Sequence, residues 1–355
     1  MPRILQFCLH KMDNLGDTIS HEVLRAALVR MEIDAEVDAV DIWEMADGGN
    51  SYDDRVDEIN RRYDCIVIGS GGLLSPWVLN RIFADLSCWG RLTPPLVLFG
   101  IGIIKNEGVN FHYGLLTPDE TTSSTVAVLR AASVVAIRDL RTLLLAQRIR
   151  GGDERIFLTG CPSMQFVQKS GPGGRAFLLN LPLDHDNTSK KASLLAGIGR
   201  AVVAKMEETL WLCHSEREEH EAQQICKNLK DRVQIVRPRT LDEISAVIAA
   251  SAMGIVVKAH PAIFMLANLK PFASIAYDMK CLALLEMILD DPGMLLVPLS
   301  RLSDNASAGK EIGRLIQNLT RHEQMVVQSM TALREHFDRE YAAFETAFSR
   351  VLGKP

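Results

Sequence analysis

Lys258 and His260 stand one residue apart, directly after the apolar run Ile255-Val256-Val257, and Pro261 follows. β-branched residues in a short apolar run predict a buried strand. Pro is tolerated in the first turn of a helix, where its missing N–H is no loss. The stretch therefore predicts a strand, a basic loop and a helix over Ile263 to Leu269, with two basic side chains at the helix N-terminus. Such an arrangement holds anions, because first-turn N–H groups and the helix dipole add to the side-chain charge. Further on, Ala273 to Tyr277 predicts another strand, with Asp278 and Lys280 just past its end. Arg138 closes a third apolar run, Val134 to Ile137. A guanidinium is the side chain best shaped to grip a carboxylate or phosphate with two bonds. Any one of these groups alone reads as a solvated loop residue. Their recurrence at strand ends gives them weight, because the carboxyl edge of an open parallel sheet is where ligands bind.

Other strand ends carry weaker signals. After the first predicted strand, Arg3 to Leu9, comes Asn14-Leu15-Gly16-Asp17. Gly16 lets a ligand approach the backbone, and Asp17 or Thr18 can cap the helix that follows. The strand Tyr63 to Ile68 runs into Gly69-Ser70-Gly71-Gly72, which predicts a glycine-rich turn whose Gly71 and Gly72 amides could face a ligand. It is neither a dinucleotide fingerprint nor a Walker loop. Leu96 to Phe99 predicts a strand ending in Gly100-Ile101-Gly102-Ile103, and Lys105 to Glu120 a turn-rich acceptor loop or lid. Ser163 follows the strand Ile156 to Leu158, and His214 follows the strand Thr209 to Cys213.

Strands and helices alternate through both halves, which predicts two doubly wound parallel sheets. Pro and three glycines within Ser170 to Gly174 mark a linker, so the expected domains are 1–170 and 175–303. From 304 to 355 the chain predicts an amphipathic helical extension, packing across both domains or, on a rival reading, pairing two copies in a homo-oligomer. A net charge of −5 leaves no basic surface for nucleic acid. Seven scattered cysteines without a CxxC pair read as reduced core residues of a cytoplasmic protein, and no Cys/His cluster has metal spacing. No signal peptide and no apolar run long enough to span a membrane is read.

The order of the motifs resembles the polysaccharide pyruvyl transferase family. The matching pieces are NLGD, DCIVIGSGGLL, FGIGI, VVAIRD, IFLTGCPSM, LCHSEREEHEAQQI, the DEISAVIAASAMGIVVKAH run and PFASIAYDMK, together covering about Ile4 to Leu289. The resemblance implies two Rossmann-like domains facing each other, as in glycosyltransferase-B folds. It implies transfer of the pyruvyl group of phosphoenolpyruvate onto two hydroxyls of a glycan, forming a ketal and releasing phosphate, with no cofactor and no metal. Arg138 and His260 match family donor residues; Lys258 stands where the family has Arg, and Cys161 where an Asp is expected. The expected roles are Arg138 and Lys258 on the donor's anions, His260 as general acid and Asp17 as base. Asn14, Gly16, Gly71, Gly72, Ser163, His214 and Lys280 complete the substrate site. The acceptor would be a glycan or lipid-linked oligosaccharide, the latter implying peripheral membrane contact. The rival functions are a nucleotide-sugar glycosyltransferase of the same architecture, with Glu286 a poorly placed ribose ligand, and a non-catalytic relative.

Overall fold

The computed structural model describes residues 1–9, 19–42, 44, 51–103, 123–165, 167, 173–181, 189–227, 232–276 and 279–353. The expected lid over Lys105 to Glu120 and most of the expected linker lie outside them. The first sheet takes β1 (Arg3–Cys8), β2 (Glu36–Asp41), β3 (Cys65–Leu74), β4 (Leu96–Ile103), β5 (Ala132–Ile137) and β6 (Ile156–Leu158). They pair in parallel in the order β2-β1-β3-β4-β5-β6. The second takes β7 (Ala176–Asn180), β8 (Thr209–Leu212), β9 (Val233–Val236), β10 (Ser251–Val256), β11 (Phe272–Ala276) and β12 (Leu296–Pro298), in the parallel order β12-β11-β10-β7-β8-β9.

Both orders reverse direction once, and that reversal opens a crevice at the carboxyl edge. It lies between β1 and β3 in the first sheet and between β7 and β10 in the second. The second order is the Rossmann one; the first is that of flavodoxin-like sheets.

Parallel strands covered on both faces read as near-continuous apolar runs, and every residue of β7 and β11 is buried. The two-residue period then sorts the side chains. Leu5, Phe7, Ile66 and Ile68 enter one core with α3 (Pro76–Ile82) and α5 (Ser123–Ala131). Ile4, Val67, Val97 and Phe99 enter a second core that is continuous with the other half of the chain. The remaining crossovers of the first half are α1 (Ser20–Arg30), α2 (Val56–Arg62), α4 (Ser87–Arg91) and α6 (Leu140–Arg150). Those of the second are α7 (Ser189–Lys205), α8 (Glu216–Ile225), α9 (Leu241–Ala250), α10 (Ala259–Ala267) and α11 (Met279–Ile288). Strand ends cap the helices they feed: the side chains of Ser75, Asp139, Ser215 and Thr240 each accept a first-turn N–H.

One expectation is corrected. The glycine runs after β3 and β4 are not turns but strand, paired as Gly69 with Phe99, Gly71 with Ile101 and Leu74 with Ile103. Glycine serves close approach here: a Cβ on Gly69 would lie 2.1 Å from the Phe99 carbonyl oxygen. Gly71 and Gly72 are accordingly buried residues of β3 rather than the turn amides of a ligand loop. The C-terminal extension is two helices, α12 (Asn305–Arg321) and α13 (Glu323–Val351), meeting at His322.

α12 lies on the second half, where Arg314 donates to the Met294 and Leu296 carbonyls. α13 crosses both halves. Its Phe344 packs on Phe99 and Phe157 of the first sheet, Glu345 pairs with Arg30 of α1 at 2.6 Å, and Arg334 donates to the Ala267 carbonyl at the end of α10. The apolar stripe Val326, Met330, Phe337, Tyr341, Phe344 and Phe348 is buried within its own chain, so α13 is not the pairing helix of the rival reading. No described helix is long and apolar enough to cross a membrane. All seven cysteines are buried, and none is in a disulfide.

Candidate active site

A small pocket lies between the halves. Arg138, Asp139 and Cys161 line it from the first half, Ala259, Ile263 and Lys280 from the second, and Phe337 from α13. Arg138 leaves the end of β5 with its N–H bonded to the Ile101 carbonyl at 2.8 Å. Its guanidinium lies along Gly102, where a Cβ would meet Nη2 at 2.5 Å, so a side chain there would displace it. Nη2 also sits 3.4 Å from Asp139 Oδ2. Asp139 is itself held, its Oδ1 accepting from the Thr142 N–H at 2.9 Å and hydroxyl at 2.8 Å. The buried guanidinium is thus fixed in direction by groups that are fixed in turn.

Facing it, α10 begins at the carboxyl end of β10. Lys258 is its N-cap residue and makes no side-chain cap bond, and Pro261 sits in the first turn. His260 is half-buried, its ring 6.2 Å from that of Phe264. Burial first, then the charges of Arg138, Lys280 and Lys258, push its imidazole down to about 3. His260 is therefore neutral at physiological pH in the free protein. Lys280, in the first turn of α11, adds an ammonium from the second half. Arg138, Lys280 and His260 come together; neighbouring cations and lost solvent around one imidazole are the signature of a site prepared for anions.

Lys258 goes elsewhere. Its Nζ pairs at 2.7 Å with Oε1 of the fully buried Glu218, whose Oε2 accepts the His214 N–H at 2.6 Å. The Lys258 N–H donates to Asn180 Oδ1 at 3.0 Å, and Asn180 Nδ2 donates to the Leu212 carbonyl at 3.1 Å. This polar network closes the crevice between β7, β8 and β10. It takes both Lys258 and His214, which stand beside the pocket rather than among its lining groups. Ser163 is buried, its Oγ 3.1 Å from Cys161 Sγ, in the turn that packs against α10. Asn14, Gly16 and Asp17 lie outside the described residues. Among the described residues, no group of three His, Cys, Asp or Glu is placed to hold a metal ion.

Residues 14–279 match the model of one family, described as polysaccharide pyruvyl transferase. The chain belongs to the polysaccharide pyruvyl transferase family. The family match runs from before α1 to the first residue of α11. No curated protein matches the chain in sequence.

Solved structures share its fold at low identity. Os79 from O. sativa, in complex with U2F and trichothecene, superposes with a TM-score of 0.58 at 12% identity, covering 98% of this chain and 100% of its own. The S. aureus MnaA–UDP structure gives 0.56 at 11% identity over 100% and 99%. UDP-GlcNAc 2-epimerase from Neisseria meningitidis, bound to UDP-GlcNAc, gives 0.55 at 10% identity over 96% and 100%. The architecture of this pyruvyl transferase family member is therefore that of glycosyltransferase-B enzymes.

Two groups escaped the reading of the sequence. Glu218 is marked by the Ser215-x-x-Glu218 spacing of a capping box, yet its carboxylate turns to Lys258 and to the His214 N–H. Gln6 interrupts the apolar strand ILQFC, and in β1 it is fully buried, its Oε1 2.8 Å from His21 Nδ1 and its Nε2 3.3 Å from the Gly69 carbonyl. A lone polar residue inside such a strand is the signal that finds it.

The neutral His260 predicts an acid sensitivity. An unfolded His binds its proton near pH 6.5, whereas the folded site refuses it until about 3. Stability is then complete above pH 6.5 and is lost as pH falls through that window, by up to about 1.4 kcal/mol per pH unit. Urea unfolding at pH 7 and pH 5 should show His260→Gln losing less stability than wild type. Equal losses would mean that the imidazole is not held neutral.

Proposed function

We propose that this protein moves the pyruvyl group of phosphoenolpyruvate onto two hydroxyls of a glycan, forming a cyclic ketal and releasing phosphate. The observation that carries the reading is the meeting of Arg138, from one sheet, with Lys280, from the other, in a single pocket, with the His260 imidazole near enough to feel both charges. Phosphoenolpyruvate bears a carboxylate and a phosphate, so it needs cations at two places in a narrow cleft. Arg138 offers the two-pronged grip for the carboxylate. Lys280 and the N–H groups opening α10 suit the phosphate. Lys280 thus takes the donor role expected of Lys258, which Glu218 occupies. We assign no metal and no organic cofactor, and we place the reaction in the cytoplasm.

The chemistry balances in two stages. One acceptor hydroxyl adds to C2 of the enol while C3 gains a proton, leaving a tetrahedral phosphate ketal. The second hydroxyl then attacks C2, the C2–O bond to phosphate breaks, and the second hydroxyl proton leaves with phosphate. His260 serves the proton transfers. An arriving anion offsets the three cations that depress it, so its proton affinity rises when the donor is present. Asp17 remains the candidate base for the hydroxyl.

A nucleotide sugar would ask for a carboxylate on its ribose. Glu286 is already held by Arg141 in a two-pronged pair at 2.5 and 2.6 Å, joining α11 to α6 across the halves. Calorimetric titration should therefore give binding with phosphoenolpyruvate and none with UDP- or GDP-sugars, and phosphate should appear when a glycan acceptor is supplied. Binding of the nucleotide sugars alone would hand the site to the glycosyltransferase reading.

A further inference from the structure

The large apolar side chains exposed among the described residues are Met1, Val29, Trp77, Leu140 and Met325. Trp77 and Leu140 both stand at the carboxyl edge of the first sheet. Trp77 is in the first turn of α3, which leaves β3; Leu140 opens α6, two residues after Arg138. Trp77 is 47% exposed, whereas Trp89 and Trp211 are buried. The guanidinium of Arg81 lies 3.7 Å from the centre of the Trp77 ring. A cation over the indole face is attracted by its quadrupole and holds the ring in one orientation. A rigid, half-exposed indole on the ligand edge of a sheet is a surface prepared for contact.

We propose that Trp77, braced by Arg81, is the platform on which a pyranose ring of the acceptor glycan stacks, with Leu140 as the apolar rung nearer the donor. The proposal rests on the glycan acceptor of the function given above. The chemistry of a sugar ring fits it: one face presents C–H groups to the indole, while the hydroxyls around the rim stay in water. A lipid tail or an apolar protein face would call for a broad patch, but Trp77 is flanked by the exposed Asn80 and by Arg81. β3 and β5 are separated by β4 alone, two strand spacings or about 10 Å. That is the reach of a disaccharide from the Arg138 end of the pocket outward. Trp77 would therefore act on acceptor binding and selectivity, not on the donor.

Lactose, cellobiose, chitobiose and mannobiose titrated into the full chain, followed by tryptophan emission and calorimetry, test this in wild type, W77F and W77A. At least one disaccharide is expected to shift the emission. W77A should weaken its binding about tenfold, the weight of one aromatic stacking contact. W77F should stay close to wild type, and phosphoenolpyruvate affinity should be equal in all three. No response to any of the four sugars, or sugar binding indifferent to W77A, overturns the platform. Self-association in wild type that W77A abolishes would put a second copy on that face and overturn it too. Wild type that fails to bind phosphoenolpyruvate would strike the donor reading instead, leaving the sugar result to stand by itself.

Discussion

Arg138→Met should weaken phosphoenolpyruvate binding about a thousandfold, equivalent to about 4 kcal/mol. Met keeps the apolar stem of Arg but neither the charge nor the fork. Arg138→Lys restores charge without the two-pronged geometry and should recover only part of the loss. Folding should barely change in either variant. Asp139 keeps both bonds to Thr142 when the guanidinium is gone, so no buried carboxylate is abandoned. Calorimetry of donor binding beside urea unfolding separates the two effects. A Met variant that binds the donor within tenfold of wild type would remove Arg138 from the site, and with it the observation on which the proposed function stands.

The second large effect is on stability. Glu218→Ala leaves the Lys258 ammonium in a low-dielectric crevice without its counter-ion and the His214 N–H without its acceptor. Breaking a buried pair on one side costs about 3–5 kcal/mol. At the size of this chain that lowers Tm by roughly 4–7 °C. Removing both charges is a different matter, because an apolar replacement of similar volume can match a buried pair. The double variant Glu218→Leu, Lys258→Met should recover most of the loss. If the single variant costs less than about 1 kcal/mol, water or another group already serves Lys258, and the network is not what holds that crevice shut. Donor binding in the double variant is informative as well. Lys280, not Lys258, lines the pocket, so affinity should survive largely intact.

The alternation of strand and helix was legible because buried parallel strands are apolar throughout and their crossovers are not. Ile255-Val256-Val257 before Lys258, and Val134 to Ile137 before Arg138, announced the two edges that meet in the pocket. Glycine misled in one specific way. Gly69 to Gly72 and Gly100 to Ile103 look like punctuation, yet the strands run on: Gly69 lies against the Phe99 backbone, Gly100 against the Pro162 ring and Gly102 against the Arg138 guanidinium. Partnership across long separations was not legible at all. Lys258 and Glu218 lie on different elements, as do Arg141 and Glu286, and nothing local in either segment states the pairing. The same holds for the state of His260. Its proton affinity is set first by burial and then by neighbouring charges, and one of these, Arg138, reaches it only after the two halves have packed.

The place of α13 has a consequence for how the chain is made. Phe99 and Phe157 belong to strands synthesised early, but the aromatic residues that cover them, Tyr341 and Phe344, come off the ribosome after both sheets. Until then one broad face of the nascent first half has no lid, and exposed apolar surface on a slow-forming parallel sheet invites misassembly. Chaperone demand during synthesis should therefore be concentrated on that face, and should fall once residues beyond Glu323 emerge and lie down across it.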